Sequence, residues 1–141
     1  MKTTDELIKE FGHAVLFIFP TAEDPEGTQP FTYTVGRAAQ GKPELLVTGP
    51  ISPENARGLV NMAAEQDVQP NQRVHGLLMG NLAVYSLEIN SLELAQMYQA
   101  YHRFPDARGI QLVWPDMNNR LPWEEGYAIE QKLQPLYGVR P

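Results

Sequence analysis

FTYTVGRAAQGKPELLVTG, from Phe31 to Gly49, is the stretch whose reading decides the fold. Phe31 to Val35 alternates aromatic or branched residues with threonine, and Glu44 to Thr48 is similarly rich in branched residues. Such residues pack well on a pleated surface. Gly36, Gly41 and Pro43 interrupt the two runs, as turn formers do. The pattern predicts two paired antiparallel strands.

Upstream, His13 to Phe19 is branched and aromatic without polar alternation, which predicts a central strand covered on both faces and ended by Pro20. Thr21 to Pro30, with its prolines, glycine and charges, reads as an exposed loop. Thr3 and Glu6 have capping-box spacing, and Leu7, Ile8 and Phe11 share a helical face before Gly12. Downstream, Ser52 and Pro53 form a strong helix start, followed by an apolar stripe of Ala56, Leu59, Val60 and Ala63. Arg73 to Leu78 and Leu82 to Ile89 flank Gly80 and Asn81, which predicts a hairpin.

Asn90 and Glu93 make a second capping pair, and Leu94, Met97, Tyr98 and Tyr101 recur at helical spacing up to Phe104. Gly109 to Trp114 predicts the last strand, and the tail a short helix from Ala128 to Leu133 plus extended chain. The order is α-β-β-β-α-β-β-α-β. That order defines an α+β fold: a mostly antiparallel sheet or small open barrel with about three packed helices, formed by one domain over residues 1–141.

The 141 residues carry a formal charge of −6 and a pI near 5.0. No concentrated basic surface is visible in the sequence, so nucleic-acid and anionic-membrane binding are not expected. With no cysteine there can be no disulfide, thiolate metal site or cysteine nucleophile, and a cytoplasmic location is the plain expectation. The longest apolar run, Ala14 to Phe19, is too short to span a bilayer.

Candidate chemistry is sparse. His13, His75 and His102 lie on separate predicted elements with no metal-binding spacing, so no metal site is expected. His75, before Gly76, is the best placed to face a cleft and titrate near neutrality. Arg37, at a strand end, has a planar fork suited to a carboxylate or phosphate. Glu44 opens a core strand, so its carboxylate must reach solvent or find partners such as backbone amides. Trp114-Pro115-Asp116 and Leu121-Pro122-Trp123 set two indoles beside prolines, suited to stacking a ligand or sealing a core edge. Asp116 can also turn back onto the backbone of Asn118 or Asn119.

The ordered blocks PFTYTVG, GKPELLVTG, QLVWPD, LPW and QPLYG, within His13 to Gly138, resemble the bacterial and phage family of the domain of unknown function DUF4262. By position, His13, Tyr33, Thr34, Gly36, Pro43, Glu44, Trp114, Pro115, Asp116, Pro122 and Trp123 follow the family pattern. Lys42 stands where a histidine is usual, Arg37 where a leucine is usual, and Asn118-Asn119 where an Asp-Gly turn is usual. The resemblance implies no established activity, and the missing histidine removes any mechanism built on an imidazole at position 42.

Three functions follow for weighing. The first is a small-molecule-binding or regulatory module, its pocket between the Tyr33 to Glu44 strands and the Trp114 to Trp123 segment, with Tyr33, Arg37, Glu44, His75, Trp114, Asp116 and Trp123 as candidate ligand contacts. The second is a protein-interaction or inhibitor domain, for example a phage-encoded antagonist of a host factor, using its acidic surface and aromatics. The third, by topological analogy alone, is a flavin-dependent enzyme of split-barrel type. No cofactor and no catalytic residue is assigned by the sequence.

Overall fold

A computed structural model describes residues 2–141 of the chain. Helix α1 (Thr4–Phe11) starts where the Thr3 hydroxyl accepts the Glu6 amide and stops at Gly12, whose φ of 89° is left-handed. Strands β1 (Ala14–Ile18), β2 (Phe31–Val35) and β3 (Glu44–Thr48) follow, with a 3-10 turn at Arg37–Gln40 between the last two. Helix α2 (Pro53–Glu65) begins at Ser52, whose hydroxyl accepts the Asn55 amide. Then come β4 (Arg73–Val74), β5 (Val84–Glu88), α3 (Tyr98–Arg103) and β6 (Gly109–Val113). The strand and helix order is the one the sequence predicts.

The strands form one open, mixed sheet in the order β1-β2-β3-β6-β5-β4. Every pairing is antiparallel except β3 with β6, where Leu45 stands beside Ile110. The parallel pair is possible because α2, β4, β5 and α3 intervene between its strands. The paired strands expected from Phe31 to Thr48 are present, with Phe31 opposite Thr48 and Tyr33 opposite Leu46.

β3 and β6 are buried on both faces, and their side chains alternate between two cores. Leu45, Val47, Ile110 and Leu112 pack under Leu59, Val60 and Ala63, three of the four residues of the predicted α2 stripe. Leu46 faces the other way, onto Tyr33, Val35, Met97 and Ala100. A smaller cluster joins Leu87, Val113 and Leu121. Burying both faces of β3 accounts for Leu45, Leu46 and Val47 following one another without polar alternation.

Four expectations are corrected. β1 is an edge strand, not a central one; Val15 packs against the α2 core and Leu16 against the Tyr33 core on the other face, while Ile18 and Phe19 at its end are exposed. The predicted hairpin about Gly80 has only two residues in β4, because Gly76 and Gly80 take left-handed φ values of 88° and 67° and Leu77 reaches the core from a loop. The helix expected from Asn90 to Phe104 is a series of turns followed by six helical residues, interrupted at Gln96, which has φ 61°. The expected tail helix is reduced to a 3-10 turn at Gln131–Leu133.

That tail is held by two buried glutamines. Gln111 on β6 donates to the Pro135 carbonyl at 2.7 Å and accepts the Tyr137 amide at 2.9 Å. Gln134 accepts the Trp114 amide at 2.8 Å and donates back to the Trp114 carbonyl at 3.0 Å. Because a buried backbone group left unpaired costs free energy, these amides act as substitutes for a missing strand partner. Among the described residues, no helix is long and apolar enough to cross a membrane.

Candidate functional site

Construction starts at Gly36. Its φ of 118° belongs to the region glycine favours, and an added Cβ would lie 2.9 Å from Ile8 Cγ1, so a side chain is excluded on both counts. The chain turns there out of β2 and into the 3-10 turn, and three successive amides point inward. Glu44, fully buried, accepts the Gly36 amide at 3.0 Å, the Arg37 amide at 3.2 Å, the Ala38 amide at 3.1 Å and the Thr34 hydroxyl at 2.8 Å. A buried carboxylate is tolerated only when its oxygens are satisfied in this way. Glu44 thereby fixes the turn, and its acceptor capacity is committed to the fold.

The turn presents Arg37. Its side chain is 4% exposed, its Nε donates to the Pro43 carbonyl at 2.8 Å, and its Nη2 has no hydrogen-bond partner among the described residues. Asp67 stands 4.0 Å from Nη2 and 3.8 Å from Lys42 Nζ, beyond hydrogen-bond reach but close enough to act as a counter-charge. Burial pushes the Arg37 guanidinium below its ordinary value, while Glu44 and Asp67 oppose that shift. An arginine so placed still carries its proton at neutral pH.

Arg37 lines an open cleft of about 750 Å³ between α1, β1 and α2. Lys42 joins it from the loop before β3, and Arg57, Asn61 and Glu65 come from one face of α2. His13, at the start of β1, is within 3.1 Å of Asn61 Oδ1. Leu7 and Phe11 of α1 and Val15 of β1 supply an apolar wall. Gln40 closes the end next to α1 by donating to the Gly12 carbonyl at 2.9 Å. The cleft thus combines three cations and one carboxylate, Glu65, with an apolar side, in a chain whose net charge is −6.

The seven candidate contacts are dispersed. Arg37 and Glu44 meet, and only Arg37 reaches the cleft. Tyr33 is buried in the core beside Met97, its hydroxyl accepting the Gln99 amide at 3.1 Å, and burial pushes that hydroxyl's pKa up against the lowering effect of this bond. Trp114 packs on the α2 core and donates its indole N–H to the Thr48 carbonyl at 2.8 Å. It lies so close to Gly49 that a Cβ there would sit 2.7 Å from its ring. Trp123 stands edge-on to Tyr85, ring centres 5.0 Å apart, over the third cluster. Tyr33, Trp114 and Trp123 therefore occupy three separate clusters and do not wall one shared cleft.

Asp116 does turn back onto its own segment. Its carboxylate accepts the amides of Asn118, Arg120 and Ala128, each at 2.9 Å, and Arg120 Nε lies 3.3 Å away. Asn119 takes the left-handed φ of 62° that asparagine tolerates. His75 is exposed in the loop after β4, while His13 is the histidine the fold delivers to the cleft. Arg57 and Asn61 escaped sequence reasoning, and Lys42 was singled out only for standing in place of a histidine; the i, i+4 spacing of Arg57 and Asn61 on a helix was the available signal.

Fold and site together define an open-sheet α+β domain bearing a cationic, partly apolar cleft. The model of a family described as domain of unknown function (DUF4262) matches residues 7–128, and the chain belongs to that family. All residues lining the cleft fall within the matched span. No curated protein and no solved structure matches the chain.

Proposed function

We propose that the domain is a small-ligand-binding module and that its ligand occupies the cleft between α1, β1 and α2. The observation that carries this reading is the convergence of Arg37, Lys42 and Arg57 with an apolar wall on one opening of about 750 Å³. That volume lies in the range of small-molecule sites, which pair apolar walls with a few placed polar groups. In an acidic protein, such a local reversal of charge concentrates oppositely charged solutes. The rigid base provided by Glu44 and the 3-10 turn keeps Arg37 in place before any ligand arrives, and preorganisation of this kind reduces the ordering cost of binding.

The test is a thermal-shift and ligand-observed NMR screen of the full chain against a broad panel of small metabolites. At least one compound should raise the melting temperature, and the paired substitution Arg57→Ala with Asn61→Ala should abolish that shift. A hit retained in full by the double variant would place binding elsewhere and reject the cleft.

A further inference from the structure

Resting on the ligand-binding reading above, we infer that the ligand is a small organic anion, with a carboxylate or phosphate head held at Arg37 and an apolar body along α1. Arg37 supplies the first reason. Its guanidinium is anchored at Nε by the Pro43 carbonyl and is almost completely removed from water, yet Nη2 makes no hydrogen bond among the described residues. Buried donors in folded proteins are nearly always paired, because an unpaired one loses its hydration with nothing in return. A fixed, unpaired guanidinium nitrogen beside a cleft is suited to an acceptor brought by a ligand, and carboxylate and phosphate are the acceptors that match its planar donors.

The neighbouring acids do not fill that role. Glu44 is occupied by the Thr34 hydroxyl and three backbone amides. Asp67 is half exposed and stands 4.0 Å away, shared with Lys42 at 3.8 Å. It balances the two cations from the rim, as a resident counter-charge, without supplying a hydrogen bond. A bound anion would supply both charge and acceptor, with the partly exposed Lys42 as a second cation.

The other end of the cleft decides the rest of the molecule. Phe11 is 62% exposed, on the outer turn of α1, and with Leu7 and Val15 it offers apolar surface next to the charged group. A bare inorganic anion would leave this surface in water. An anion with a short hydrocarbon body covers it, and removing that apolar surface from water favours binding.

Titration calorimetry of the full chain with octanoate, octyl phosphate, octanol and inorganic phosphate separates the possibilities. Octanoate or octyl phosphate should bind, the tighter of the two naming the head group, and octanol and inorganic phosphate should each be weaker by about tenfold or more. Arg37→Gln should remove the preference for the charged probes. Asp67→Asn, an exposed change that does not depend on rebuilding the core, should tighten binding of the charged probe several-fold. Octanol binding as tightly as octanoate, with Asp67→Asn neutral, would overturn the anionic ligand while leaving a ligand-binding cleft. Binding of inorganic phosphate equal to that of octyl phosphate would overturn the apolar body. If no probe binds but a compound of the metabolite panel does, the inference fails alone; if nothing binds, both readings fail.

Discussion

Glu44 illustrates how one residue can organise a cleft that it does not itself line. Opening a core strand, the carboxylate had to find partners, and that much follows from the sequence. Which partners could not be read, because the left-handed turn at Gly36 that aims three amides at it is a property of the folded loop. Replacing Glu44 by glutamine puts a donor where backbone donors already converge. We expect Glu44→Gln to cost about 3 kcal/mol, read as a lower urea midpoint at unchanged m-value, because buried donors lose their acceptor. Wild-type stability in this variant would show that the 3-10 turn does not depend on the carboxylate. Arg37 and Lys42 were legible as cations but not as neighbours. Only the fold brings them to one cleft with Arg57.

At the scale of elements, local signals were read well. The caps at Thr3 and Ser52 and the stop at Gly12 arise from contacts within a few residues, and the buried face of α2 is announced by local apolar spacing, so the sequence carries them directly. Elements defined by distant partners were not legible. Leu94 and Tyr98 have helical spacing, yet they are 72% and 50% exposed, because the turn at Gln96 points the segment another way. The tail reads as a helix but is drawn straight by Gln111 and Gln134. The 116–128 segment has a pH signature of its own. Burial alone would raise the pKa of Asp116, but the amides of Arg120, Ala128 and Asn118, with the Arg120 charge, hold it below the ordinary carboxylate value. Glu124 is lowered too, chiefly by the Leu121 amide and by Arg73. Groups with depressed folded values stabilise the protein above their unfolded pKa, near 4, and that contribution disappears as pH falls through the folded value. Urea midpoints should therefore hold between about pH 7 and 5 with respect to these groups and drop in stronger acid, and Asp116→Asn should flatten part of the drop. An unchanged acid limb in the variant would remove Asp116 from the account.

For the whole molecule, the order of helices and strands could be read because each element announces itself, and the α+β class followed. The arrangement of the sheet could not. An apolar strand reads alike whether neighbours or helices cover it, which is why β1 looked central and lies at the edge. The site was hidden for a related reason: the cleft draws on α1, β1, the 3-10 turn, the loop before β3 and α2, and no window of sequence contains them all. The parallel seam between β3 and β6, with Glu44 beside Gly109, has a consequence in time. The two strands share no tight connection, so the chain must surrender the freedom of everything between positions 44 and 109 before their contact returns anything. β1, β2 and β3 can zip sequentially through neighbouring loops, as can β4 with β5, while the seam waits on a long closure. Stopped-flow refolding should be slow for a chain of this size, on the order of milliseconds to seconds rather than microseconds. Full near-ultraviolet ellipticity already recovered within the mixing dead time would contradict it. Until that seam closes, Leu45 and Ile110 lack their mutual cover, and newly made chains present to their surroundings the two strands that the finished fold buries most completely.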